Sequence, residues 1–156
     1  MSDDVYETPR AGLTKPEGGI EIKKMYSPTQ VAVGTFVGGP LTIAFLMGAN
    51  FNALGRSDLK TKTWLWVLAG TVLMVTISMF LPSNIGGIPV SGALAVLAYQ
   101  LTNSKQLSKV DIETAIDYEF QSNWRVFGFS LLAILLVFVF AIMVIVPLDM
   151  AGLITI

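Results

Sequence analysis

The chain has 156 residues, 53% of them apolar and 13% charged, with a mean hydropathy of +0.66, which is too oily for an ordinary water-soluble domain of this size. A formal net charge of -1 and a pI near 5.3 argue against a nucleic-acid partner, because phosphate binding needs clustered Lys and Arg. With no Cys and no His there is no disulfide framework, thiolate, imidazole base or His/Cys metal site, so no metal and no cofactor are expected.

Residues 1–30 mix both charge signs with Pro and Gly and show no apolar run, the composition of a flexible polar tail. Their acidic start is unlike a cleavable signal, so the first greasy segment is expected to be retained as an anchor.

Beyond the tail, residues 31–156 form the expected membrane domain, an all-α polytopic helical bundle of about four spans. A spanning helix needs about 20 residues at about 1.5 Å each. The segments that meet or approach this are 31–54, 64–81, 85–103 and 126–146. The first is interrupted by Gly38, Gly39 and Pro40, and the apolar part of the third is short enough to need flanking residues, tilt or local thinning.

The connections set the orientation. Loops 55–63 and 104–125 carry Arg56, Lys60, Lys62, Lys105, Lys109 and Arg125, whereas Pro82–Pro89 carries no charge, so the positive-inside rule makes both charged loops cytoplasmic. Trp64, Trp66 and Trp124 fall where the second and fourth spans meet the headgroups, and with Arg125 they read as interface anchors. A conflict arises at the start of the chain. If 31–54 crosses once, Lys23 and Lys24 lie outside, against the rule; if the chain turns back at Gly38-Gly39-Pro40 as two short re-entrant helices, the conflict vanishes. Four ordinary crossings are the expectation, because Glu17 and Glu21 dilute the positive character of the tail. Within 104–120, Leu107, Val110, Ala115 and Tyr118 recur near helical spacing, which predicts a surface amphipathic helix, with Lys109 four residues before Glu113.

The stretches SPTQVAVGTFVGGPLTIAFLMGANFNALGR and DYEFQSNWRVFGFSLLAILL resemble a group of small bacterial inner-membrane proteins that share Gly-Gly-Pro-Leu, an Asn followed by Leu-Gly, and a Gln-Ser-Asn-Trp-Arg start to the last helix. The resemblance implies a bacterial inner membrane and a polytopic fold. It implies no reaction and no site residue.

Several positions invite a functional reading. Gly34, Gly38, Gly39 and Pro40 suit either a broken helix whose freed backbone meets a solute or a kinked helix that admits a close neighbour. Asn50, two residues deeper than Asn52, suits an interhelical bond or a solute path, and Gly55 suits the left-handed cap of its helix. Asp111, Glu113, Asp117 and Glu119 read as a solvated face. The clean spans hold no Asp, Glu, Lys or Arg, which disfavours a proton-driven carrier, and no hydrolase or nucleotide-binding motif occurs. The expected function is therefore non-enzymatic: an accessory, assembly or homo-oligomeric component whose partners are the lipid bilayer and its own copies or another membrane protein. The alternative is a small channel or transporter with a polar path at the Gly38-Gly39-Pro40 break and Asn50.

Overall fold

A computed structural model describes residues 21–78 and 87–152. In chain order these form β1 (Lys23–Met25), α1 (Pro28–Gly38), α2 (Pro40–Ala53), α3 (Ser57–Ser78), α4 (Gly87–Lys105), α5 (Lys109–Thr114), β2 (Tyr118–Phe120) and α6 (Asn123–Met150). The fold is mostly helical, as its composition implies.

The first greasy segment is two helices, not one. Ser27 opens α1 with a reciprocal capping box to Gln30, and Pro28 supplies the preset φ of the first turn. Gly39 ends it with φ 71° and ψ -163°, a backbone conformation open essentially only to glycine, and Pro40 then starts α2. The reversal is proved by its ends. The Tyr26 N–H donates to Asn50 Oδ1 at 2.7 Å, whereas in one continuous helix these residues would stand about 36 Å apart. A single crossing over 31–54 is thus replaced by an antiparallel hairpin with its tip at Gly39. At about 16 Å and 21 Å from 11 and 14 residues, its arms are shorter than α3 or α6. Arm α2 closes at Gly55 (φ 71°), with Arg56 N–H bonded to Phe51 C=O and Gly55 N–H to Asn52 C=O, a Schellman pair that bears out the expected cap.

The hairpin forms the centre of the molecule. Arm α1 packs on α4 and α6, and arm α2 packs on α3 and α6. The buried cluster accordingly draws Val31, Ile43, Leu46, Met47 and Phe51 from the hairpin and only Ala98 and Val126 from the outer helices. Those outer helices turn many large apolar side chains outward: Leu65, Val72 and Leu73 on α3, Ile88 and Val96 on α4, and Phe127, Leu135 and Phe138 on α6.

Two further expectations are corrected at the charged end. Residues Lys23–Met25 are not free tail but a strand that pairs in parallel with β2, Lys23 opposite Tyr118 and Met25 opposite Phe120. The amphipathic helix expected over 104–120 is broken into the end of α4, the six-residue α5 and β2. Ser108 and Asp111 form a capping box that restarts the chain at α5, and Ala115 leaves it in extended conformation. Backbone pairing with β1 then takes Tyr118–Phe120 out of helical geometry, a long-range gain that outweighs the local periodicity. The expected pair Lys109–Glu113 is present at 3.4 Å between exposed side chains.

Among the described residues one helix is long and apolar enough to cross a membrane. It is α6, with mean hydropathy 2.0 over Asn123–Phe140 and only 17% of that window buried, unlike the core helix of a soluble domain. The segments expected as spans, 64–81 and 85–103, fall on helices α3 and α4, with 79–81 and 85–86 outside the described residues, and 126–146 lies within α6; among the described residues α6 alone has the length and hydropathy of a span, so the expected four spans are not shown.

Candidate functional site

The break at Gly38-Gly39-Pro40 is a packing site. A Cβ at Gly38 would stand 2.7 Å from Ser130 Cα and 2.8 Å from its carbonyl oxygen, and one at Gly34 would stand 2.8 Å from Leu46 Cδ1 and 3.0 Å from Val126 Cγ1. Both glycines are therefore required for α1 to lie against α6 and α2, the close backbone approach that small residues permit. Ser130 Oγ shares its proton between Gly34 C=O at 3.1 Å and Val126 C=O at 2.9 Å, which bonds the two helices where they touch. Beside Gly38, Thr42 Oγ1 is buried with no hydrogen-bond partner among the described residues. Gly39 is different: nothing lies within 4 Å of its Cβ direction, so its role is conformational.

Asn50 sits at the opposite end of α2 and is 1% exposed. Its Oδ1 accepts from Tyr26 N–H at 2.7 Å, and its Nδ2 donates to Tyr26 C=O at 2.8 Å and to Gln106 Oε1 at 2.8 Å. Gln106 Nε2 in turn donates to Met47 C=O at 2.9 Å. The Asn50 amide thus imitates a strand neighbour for Tyr26 and ties β1, α2 and the end of α4 together. Both amide protons are used, so none is left for a solute. A second tie runs through Gln30, whose Nε2 donates to Gln121 C=O and Asn123 Oδ1, each at 2.7 Å. Burial raises the Tyr26 phenol above its usual value of 10.0, while the Arg125 guanidinium pulls the other way.

The four proposed interface anchors divide. Trp64 is half-buried, edge-on to Phe45 at 5.0 Å between ring centroids, and its indole and the Lys60 stem lie over Gly48. Phe45 also stacks on Phe129 of α6 at 5.6 Å, so Trp64 belongs to an aromatic packing run. Trp66, Trp124 and Arg125 are exposed. The acidic residues of the 104–120 region do not converge: among the described residues no group of three carboxylates could hold a cation. Asp111 is held below its usual carboxylate value by hydrogen bonding of its carboxylate with the Ser108 side chain and with the Ser108 N–H, which donates to Oδ2 at 2.8 Å.

The structure thus brings Gly34, Gly38 and Thr42 together with Ser130, and leaves Asn50 at the far end of α2, beyond the apolar Ile43, Leu46 and Met47. Tyr26, Gln30 and Gln106 were not singled out from sequence, although a Gln three residues after Ser27 was a visible capping signal. Comparison with family models, curated proteins and solved structures finds no match to this chain.

Proposed function

We propose that the protein is a non-enzymatic integral membrane protein, in which α3, α4 and α6 cross the bilayer around a re-entrant α1–α2 hairpin, and that it acts by associating with copies of itself or with another membrane protein. Several features support this reading. Apolar side chains point outward from the outer helices while the hairpin's polar groups are bonded inward, the reverse of a water-soluble surface. The charge distribution also supports this reading. With β1 paired to β2, Lys23 and Lys24 stand at the same end as Arg56, Lys105, Lys109 and Arg125, as a cytoplasmic face requires.

One observation carries the association reading. The glycines of α1 are consumed inside the chain, but Gly70 on α3, Gly92 on α4 and Gly128 on α6 have nothing within 4 Å of where a Cβ would stand. Helices in lipid associate through such notches, because apolar contact alone gives no preference for protein over acyl chains. The test is crosslinking in native membranes. Gly92→Leu and Gly128→Leu are expected to leave thermal stability unchanged and to abolish the crosslinked oligomer or partner band. A parent chain that partitions with the soluble fraction, or variants that crosslink as the parent does, would overturn the proposal.

A further inference from the structure

The parallel pair α1 and α6 leaves a cleft between them of about 320 Å³, walled by Val33, Val37, Val126 and Phe127 and floored by Gly34 and Ser130. Thr29, Gln30 and Asn123 close its charged end, and these same residues line a second, more polar hollow of about 440 Å³ that also takes in Lys109 and Ser122. The apolar slot and the polar vestibule thus adjoin at Thr29, Gln30 and Asn123, at the end where the basic residues gather. We infer that these two adjoining hollows hold one phospholipid with an anionic headgroup, an acyl chain lying along Val33 and Val37 and the phosphate in the vestibule. The inference rests on the membrane reading above.

Charge selects the occupant. Helices α1 and α6 both start at the vestibule, so the positive ends of two helix dipoles point the same way, and neither helix has an acidic residue in its first turn. Lys109 adds a full positive charge, which Glu113 engages at 3.4 Å and which is exposed enough to turn toward a phosphate. Thr29 and Ser122 supply hydroxyls, and Asn123 accepts from Gln30 through Oδ1, which aims its own amide protons elsewhere. A zwitterionic headgroup would meet the same donors but bring its own cation beside Lys109. The slot follows α1 for about 12 Å from Thr29 to Val37 and suits a chain rather than a compact solute.

The full chain, purified in a neutral detergent and stripped of lipid, is heated with added phosphatidylglycerol, with phosphatidylcholine of the same chains, and with soluble glycerol 3-phosphate. Phosphatidylglycerol is expected to raise the Tm well above the other two. Thr29→Glu puts a carboxylate in the first turn of α1, where it favours the helix, and is expected to weaken the phosphatidylglycerol effect about fivefold or more while the lipid-free Tm holds. Val37→Trp, at an exposed wall position, is expected to abolish the response to both lipids by filling the slot. Equal shifts from both lipids, a full shift from glycerol 3-phosphate, or a parent-like response in Thr29→Glu would overturn the lipid site. A chain that stays in the membrane fraction yet fails these tests loses the lipid site alone; a chain found soluble loses the membrane reading as well.

Discussion

The two ends of the hairpin are held by opposite means. Towards the tip, α1 meets α6 because side chains are missing: Gly38 lets the backbone of Ser130 come within contact distance, and Gly34 leaves room for the side chains of Val126 and Leu46. At the charged end, α2 meets β1 and α4 because side chains are present, with the Asn50 amide bonded to Tyr26 and Gln106. The tip works by shape and leaves the Thr42 hydroxyl without a partner among the described residues; the charged end works by hydrogen bonding, and Asn50 leaves neither amide proton free. A chain reversal inside an apolar core needs both, because a turn exposes backbone polar groups at the same place where it forces helices together.

Substitutions sharpen that contrast. The largest effect is expected for Gly38→Leu, whose side chain would collide with Ser130 backbone that cannot move aside; a loss of about 3 kcal/mol or more, read as failure to recover folded protein in detergent, follows from overpacking at a backbone contact. Because this change destroys the hairpin, it does not report on association, which is why Gly92 and Gly128 serve that purpose. Asn50→Leu leaves the buried N–H and C=O of Tyr26 without partners and is expected to cost about 3 kcal/mol in denaturant or thermal unfolding, with β1 released first to added protease. Gly39→Ala meets no neighbour but must hold φ 71° with ψ -163°, so a loss of roughly 2 kcal/mol without any change in oligomer is expected, and a neutral result would deny the conformational role.

The smallest effect is pH-dependent. Because folding raises the Tyr26 pKa, the folded state keeps its phenol proton where the unfolded chain has lost it. The associated stability is fully present below about pH 10 and is lost as pH rises through the folded value. Tyr26→Phe should flatten the alkaline limb of the Tm against pH curve; an unchanged limb would show that Tyr26 does not set it.

How much of this was legible beforehand depended on range. Local signals read correctly: Gly55 as a helix cap, Lys109 with Glu113, and the interruption at Gly38-Gly39-Pro40. The single crossing over 31–54 failed because hydropathy records how oily a segment is and is blind to its direction; only the bond from Tyr26 to Asn50 reveals the turn. The positive-inside conflict at Lys23 and Lys24 had marked the alternative. The helix expected over 104–120 failed for a related reason, since the partner of Tyr118–Phe120 lies in a segment that composition alone assigns to a floppy tail. The neighbours of Gly34 and Gly38 are α2 and α6 of the same chain, which the spacing of two glycines does not specify.

The tether from Gln30 has a consequence for synthesis. Its acceptors, Gln121 and Asn123, lie 91 and 93 residues further along the chain. A ribosome delivers them only after α1 through α5 have emerged, so the earliest helices must wait, half-dressed, for the last one to fasten them. Truncating the chain before residue 121 removes both acceptors of Gln30 and leaves the early hairpin without that fastener.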